Sequence, residues 1–334
     1  MNEKKIKCFV IGGSGFIGSR LCNRLYSYKK PFTIIDKVLS CSFPAYSKEV
    51  DVRNKNDLRN TITEDSVIVN LAAEHRDDVR PLSLYYDVNV EGAKNICDVA
   101  REKNVKKIVF TSTVAVYGFA DLGTDENGEI NPFNDYGKSK YEAEKVLQQW
   151  QNEVPDERVL VIIRPTVVFG EQNRGNVYNL LKQIATNRFV MVGNGENRKS
   201  MVYVENIAAF IEYSLKFEPG VHVYNFSDKP DFTMNTLVRK VKGIMGQPEK
   251  IKFRVPYFLG YIIGKFFDCF AFVTKKRLSI SSIRIKKFCA NSVYDTQVSS
   301  TGFKSPIAIE DAIVKTVSHE FLNENENNNL YYSE

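Results

Sequence analysis

Residues 6–11 (Ile-Lys-Cys-Phe-Val-Ile) form a short apolar run that stops at Gly12-Gly13-Ser14-Gly15-Phe16-Ile17-Gly18, and a helical stretch follows toward Lys29. Few folds accept a strand, a glycine turn and a helix N-terminus in that order. Glycines at 12, 15 and 18 let a pyrophosphate approach the backbone amides at the positive end of the helix, and let that helix lie close on its sheet. A second strand-like run, 32–35, ends at Asp36, eighteen residues after Gly18. A carboxylate there accepts from both hydroxyls of an adenosine ribose and repels a 2′-phosphate, so the spacing points to NAD rather than NADP.

Strand-like and helical stretches keep alternating. Residues 67–73, 107–113 and 159–164 read as strands, with helices near 88–104 and 136–152. Alternation of this kind predicts an α/β fold, a Rossmann-type doubly wound parallel sheet covered on both faces, with ligands at the carboxyl ends of the strands. Beyond Pro165 the pattern breaks into shorter segments punctuated by glycine. The expected division is a dinucleotide domain of 1–165 plus about 204–228, and a smaller α/β substrate domain of about 166–203 plus 229–322. The Asn- and Glu-rich stretch 323–334 reads as a disordered tail.

Within the second helix Tyr136 and Lys140 are four residues apart, on one helical face. A free tyrosine keeps its proton until about pH 10, but a nearby cation favours the phenolate and makes it a base near neutrality. Six dispersed cysteines and three scattered histidines suggest neither a disulfide framework nor a metal site. The opening residues carry too short an apolar run for a secretory signal.

Charge is unevenly placed. Residues 250–287 hold ten Lys or Arg against Asp268, a local +9, while the whole chain is +6. The same segment contains the apolar run 255–273, broken by Lys265 and Asp268 and followed by Lys275-Lys276-Arg277. Charges in its middle argue against a membrane span. An apolar helix with a basic rim suits a bilayer surface, and suits it better than nucleic acid. A core helix of the substrate domain or a dimer contact is the competing reading.

Taken in order, Gly12 to Gly18, Asp36, Asp51-Val52-Arg53, Leu71-Ala72-Ala73, Asn89, Val116-Tyr117-Gly118, Tyr136 with Lys140, Arg164-Pro165 and Gly195 through Arg198 to Val204 resemble the extended short-chain dehydrogenase/reductase family of nucleotide-sugar epimerases and dehydratases. The resemblance implies an isomerase with Tyr136 as base, Thr113 as its hydroxyl partner and Lys140 on the nicotinamide ribose. It implies an NAD site of Gly12, Gly15, Phe16, Ile17, Gly18, Asp36, Asp51, Val52, Leu71, Ala72, Ala73, Asn89, Tyr136 and Lys140. Asn176 and Arg198 would hold a sugar diphosphate, with Arg76 and Arg284 as further candidates. Family members pair through the helices near 88–104 and 136–152, which implies a homodimer.

Dehydratases of the family place Asp-Glu directly after the threonine. Here Val114 and Ala115 stand there, so what remains is transient oxidation at carbon 4 and return of hydride to the other face of the sugar. Ala72 through Val79, Ser83 through Val90, Arg174 through Ala185 and Lys286-Lys287-Phe288-Cys289-Ala290 resemble the branch of the family that epimerises N-acetylhexosamine on undecaprenyl diphosphate for O-antigen and lipopolysaccharide synthesis. That branch implies a lipid-linked substrate and a peripheral place on the cytoplasmic face of a bacterial inner membrane. Where UDP-sugar epimerases carry Arg-x-x-Asp, the nearest match is Arg284-Ile285-Lys286-Lys287, with lysine in place of the ribose-binding carboxylate. A soluble UDP-N-acetylhexosamine 4-epimerase and a non-catalytic NAD sensor are the alternatives; retention of Thr113, Tyr136 and Lys140 argues against the sensor.

Overall fold

A computed structural model describes residues 6–76, 79–251, 253–274, 281–323 and 329–332. The predicted basic rim at 275–277 lies outside these residues, as do Asp77 and Asp78. The chain opens with β1 (Cys8–Ile11), α1 (Phe16–Ser27), β2 (Phe32–Asp36), β3 (Ser47–Glu49), α2 (Lys55–Thr61) and β4 (Val67–Asn70). A helical segment begins as α3 (Ser83–Tyr86), passes through a π-helical turn, Asp87–Glu91, and continues as α4 (Gly92–Glu102). Then come β5 (Lys107–Thr111), α5 (Asp135–Asn152), β6 (Val159–Pro165), β7 (Val167–Phe169), α6 (Asn176–Ala185), β8 (Met191–Val192), β9 (Arg198–Tyr203), α7 (Val204–Ser214) and β10 (Gly220–Phe226). The last part holds β11 (Asp228–Thr233), α8 (Met234–Ile244), β12 (Arg254–Val255), α9 (Tyr257–Thr274), α10 (Ser282–Cys289) and α11 (Ile309–Phe321).

The main sheet has seven parallel strands in the order β10-β6-β5-β4-β1-β2-β3. Its strands alternate between two buried faces, as the doubly wound expectation requires. Phe9, Ile11, Ile68, Ile108, Phe110 and Ile162 pack with Leu58, Ile96, Leu147 and Trp150 on one side. Val10, Ile34, Val69, Val109 and Val161 pack with Leu21, Leu25, Ile207 and Phe210 on the other. Strand order reverses between β1 and β4, and the crevice at that switch point is where such sheets take ligands. The strand expected over 67–73 stops at Asn70, whose side-chain carbonyl accepts from the Ala72 amide at 3.2 Å and turns the chain out of the sheet.

A second lobe is built on the three-stranded sheet β11-β9-β7, with Phe169, Leu181, Met201, Val238 and Ile313 in its core. On its outside, α9 packs against α10 through Gly264 and against β8 through Gly260. A Cβ on Gly264 would lie 2.8 Å from the Ser282 backbone, and one on Gly260 would lie 2.7 Å from Val192. Asp268, which looked like a break in an apolar run, accepts from the Ser282 amide at 3.3 Å and from its hydroxyl at 2.5 Å. It therefore ties α9 to the first turn of α10, where negative charge is favoured.

Of the stretch 323–334, expected to be a disordered tail, residues 324–328 and 333–334 lie outside the described residues. Residues 329–332 return to the body, where the Tyr331 amide donates to the Gln172 carbonyl (2.9 Å), the Arg174 amide donates to the Tyr331 carbonyl (2.7 Å), and the Tyr331 ring lies 5.8 Å from that of Phe16. An aromatic residue in a polar tail supplies the apolar surface that composition averages away. The outer faces of α4 and α5, the helices expected to pair in a dimer, expose no large apolar side chain among the described residues and carry ion pairs such as Arg101 with Asp98 and Glu153.

Candidate active site

The glycine turn is a cradle that side chains would fill. Gly12 has φ +79°, a conformation natural to glycine, and a Cβ there would meet the Ala72 amide at 2.6 Å. On Gly18 a Cβ would meet the Gly12 carbonyl at 2.4 Å, so only glycine lets α1 start this close to β1. The α1 N-terminus has no side-chain cap, which leaves its first-turn amides pointing at the crevice. Asp36 closes the turn, accepting from the Ser14 amide (3.0 Å) and the Val38 amide (3.2 Å). Burial pushes its carboxyl above the usual range while these amides oppose the shift. The remaining lone pairs are available to ribose hydroxyls, and these features together fit NAD.

Other residues expected on the cofactor have visible structural duties. Asp51 is gripped by Arg53, Nε to Oδ1 at 3.0 Å and Nη2 to Oδ2 at 2.6 Å, which holds its carboxyl below the usual range. Val52 packs on Gly92. Leu71 donates its amide to Ile11 at 2.8 Å, which keeps Leu71-Ala72-Ala73 against the glycine turn. Asn89 spends its side chain within the protein: Oδ1 accepts from the Glu74 amide (2.9 Å), and Nδ2 donates to the Glu74 carbonyl (3.1 Å) and to Ser139 Oγ (2.9 Å). It staples the loop after β4 to α5.

Thr113 and Tyr136 lie on two segments that each begin with a capping turn and that meet at Gly137 and Ala115. Thr113 is buried just after β5, and its Oγ1 accepts from the Ala115 amide at 3.1 Å, capping a 3₁₀ turn over Val114–Tyr117. Asn134 caps α5 by accepting from the Gly137 amide at 2.9 Å. Gly137 is the residue that sequence reasoning passed over: a Cβ there would lie 2.6 Å from the Ala115 carbonyl, so its absence lets the start of α5 touch the turn that Thr113 begins. The Tyr136 ring, half-buried, lies 6.5 Å from that of Tyr85.

One turn further along α5, Lys140 is 1% exposed, with Nζ 4.1 Å from the centre of the Phe110 ring. Burial lowers its ammonium to about 7, opposed by Glu144, the next residue on the same helical stripe. Glu144 and Arg164 form a buried two-pronged ion pair, and Arg164 Nη1 also donates to Tyr117 Oη at 2.7 Å. Repetition of the four-residue spacing from Tyr136 through Lys140 to Glu144 was the signal available for it. His75, within the loop after β4, is exposed at its surface, and desolvation by the protein on its inner side holds its imidazole below the ordinary range, with Lys140 adding to the effect.

The expected diphosphate ligands are spread over the loop after β4 and the second lobe. Arg76 is loosely paired with Glu74 at 3.8 Å. Asn176 opens α6, Arg198 opens β9 with its guanidinium exposed, and Arg284 lies exposed on α10. Arg174, by contrast, is committed to Glu320 at 2.9 Å and to the Tyr178 ring at 4.0 Å. Among the described residues no three His, Cys, Asp or Glu side chains cluster as metal ligands.

Residues 8–226 match the NAD dependent epimerase/dehydratase family. Over 330 residues the chain is 47% identical to the N-acetyl-alpha-D-glucosaminyl-diphospho-ditrans,octacis-undecaprenol 4-epimerase of Escherichia coli O157:H7, covering 97% of this chain and 98% of that protein. It is 28% identical to the UDP-glucose 4-epimerase of Vibrio cholerae over 77% of its own length and 80% of the relative's. Among solved structures, the UDP-glucose 4-epimerase of Thermotoga maritima with UDP-glucose superposes with a TM-score of 0.74 at 20% identity, covering 94% of this chain and 98% of that one.

Proposed function

The chain belongs to the NAD dependent epimerase/dehydratase family, and on that footing we propose that it is a 4-epimerase interconverting N-acetylglucosamine and N-acetylgalactosamine on undecaprenyl diphosphate. NAD, held by Gly12, Gly15, Phe16, Ile17, Gly18 and Asp36, supplies a reversible hydride acceptor when bound. In this reading Tyr136 takes the proton of the carbon 4 hydroxyl and Thr113 hydrogen-bonds the same oxygen. The Lys140 cation favours the phenolate and holds a ribose hydroxyl. Once the sugar has turned over, Tyr136 returns the proton and the configuration at carbon 4 is inverted. Val114 and Ala115 offer no acid or base for elimination, which supports epimerisation over dehydration. Asn176, Arg198, Arg76 and Arg284 are assigned to the sugar diphosphate.

The observation that carries a lipid substrate over a nucleotide one is the outward face of α9. Phe258, Ile262, Phe266 and Phe270 follow one another at four-residue spacing, flanked by Leu259 and Ile263, and all six are exposed. Gly260, Gly264 and Asp268 occupy the opposite side, Gly260 against Val192 of β8 and the other two against Ser282 of α10. A helix that turns its polar and small residues inward and its large apolar ones outward fits the boundary of a bilayer, and a soluble nucleotide sugar requires no such face. Among the described residues no helix is long and apolar enough to cross a membrane, and the reading is of a helix lying on the cytoplasmic surface of a bacterial inner membrane, in O-antigen synthesis. The identity to the undecaprenol 4-epimerase over nearly the full length supports the same substrate.

Incubation of the purified protein with GlcNAc-diphospho-undecaprenol and, separately, with UDP-GlcNAc tests this. Turnover of the lipid substrate to the GalNAc form is expected. Turnover of the nucleotide sugar alone would replace the reading with that of a soluble UDP-sugar epimerase.

A further inference from the structure

Two exposed phenylalanines grow out of the segments that carry the catalytic residues. Phe119 follows the turn that Thr113 begins, and Phe133 lies three residues before Tyr136. Their rings stack at 4.8 Å between centres and 24° between planes. Phe119 and the neighbouring Leu122 are each 63% exposed. Two lysines of α10 reach over this pair: Lys286 Nζ lies 5.8 Å from the Phe119 ring and Lys287 Nζ 4.8 Å from the Phe133 ring. Because α10 is locked to α9 through Gly264 and Ser282, it connects the rings beside the catalytic turn to the helix whose outer face is apolar.

A sugar diphosphate lipid presents three chemistries in fixed order, namely sugar, diphosphate and isoprene chain, and beside the turn that Thr113 begins the surface offers cations and apolar rings together. Resting on the proposed lipid substrate, we infer that Phe119, Leu122 and Phe133 seat the first isoprene units of that substrate, with Lys286 and Lys287 neutralising the diphosphate as the chain passes on toward α9. Lysines stacked on aromatic rings suit this junction, since the anion takes the ammonium groups and the apolar chain takes the ring surface.

The test compares two substrates, GlcNAc-diphosphate esterified to farnesol and the same diphosphate esterified to methanol, on wild type and on the double variant Phe119→Ser/Phe133→Ser. Wild type is expected to show a KM at least about tenfold lower for the farnesyl compound, a modest return for burying several methylene groups. In the double variant that ratio should fall toward one. Lys286→Gln/Lys287→Gln should raise KM for both compounds alike, because both carry the diphosphate. A chain-length preference that survives loss of the two rings overturns the seat alone, and so does a change in sedimentation of the ring variant with the preference intact, which would assign the rings to contact with a second copy. Turnover of UDP-GlcNAc alone overturns the lipid substrate and the seat with it.

Discussion

Arg164 and Glu144 meet below the surface in a two-pronged pair, Nε to Oε1 at 3.0 Å and Nη2 to Oε2 at 2.6 Å, one helical turn behind Lys140. Neither side chain reaches solvent to any useful degree, so neither can find water if its partner is lost. Glu144→Gln should lower stability by about 3–5 kcal/mol in urea, the usual cost of stranding one member of a buried pair. The double exchange Glu144→Leu/Arg164→Met should recover most of it. A single variant within about 1 kcal/mol of wild type would contradict a desolvated pair.

Tyr136→Phe removes the only atom assigned to carry the sugar's proton and leaves the ring packed near Tyr85. Turnover should fall by about a hundredfold to ten-thousandfold, the range for loss of general acid–base catalysis. NAD should remain bound, read from its absorbance after gel filtration. Appreciable turnover by this variant would mean that another group is the base.

Gly137→Ala probes the contact between the segments that carry Thr113 and Tyr136, the pair proposed for catalysis. The new methyl would press on the Ala115 carbonyl, which is backbone and cannot swing aside. Displacement of Tyr136 from Thr113 by a fraction of an ångström to 1 Å should lower kcat by up to about a hundredfold. The glycine turn is untouched by this change, so NAD should remain bound, and a variant that lost cofactor in parallel with kcat would point to general disruption instead.

Lys140 makes the stability of the cofactor-free protein depend on pH in a definite direction. Its ammonium sits at about 7 when folded, against an ordinary value near 10.4 when unfolded. Below pH 7 it is charged in both states and the folded protein carries the full cost of the buried charge. Between pH 7 and 10 the unfolded chain binds the extra proton, so this cost fades as pH rises. Lys140→Met should therefore stabilise the apo protein more at pH 6 than at pH 9, measured as urea midpoints. An advantage independent of pH would show that the lysine is not charged on the acid side of neutrality.

The α9 face should be separable from the fold. Ile262 and Phe266 are 59% and 73% exposed, so Ile262→Asp/Phe266→Asp should leave thermal stability nearly unchanged. Flotation with vesicles containing anionic phospholipid should lose the variant and retain wild type. Equal flotation of both proteins would remove α9 from the membrane contact.

Local spacing made the glycine turn, Asp36 and the Tyr136–Lys140 stripe legible in the sequence, because each motif is written within one or two consecutive elements. The parallel sheet followed from alternation for the same reason. What stayed hidden depends on residues that only packing brings together. Arg164 reaches Glu144 from the neighbouring strand, Gly137 meets Ala115 across a loop, and Asp268 finds Ser282 only after the chain reverses from α9 into α10. Asn89 illustrates the converse. Its place in an ordered motif marked it for the cofactor and gave no sign that its amide also ties Glu74 to Ser139. Tyr331 was lost in a polar tail because a single aromatic residue weighs little in composition and much in packing.

Ser282 sits in the notch left by Gly264, with its backbone 2.8 Å from where a Cβ would be. One methyl at that notch would push the first turn of α10 away from α9 at the same residue that Asp268 holds, so it would shift the helix and strain that tie together. Lys286 and Lys287 ride on that helix, so an alteration that touches neither lysine nor phenylalanine would still draw the ammonium groups off the rings.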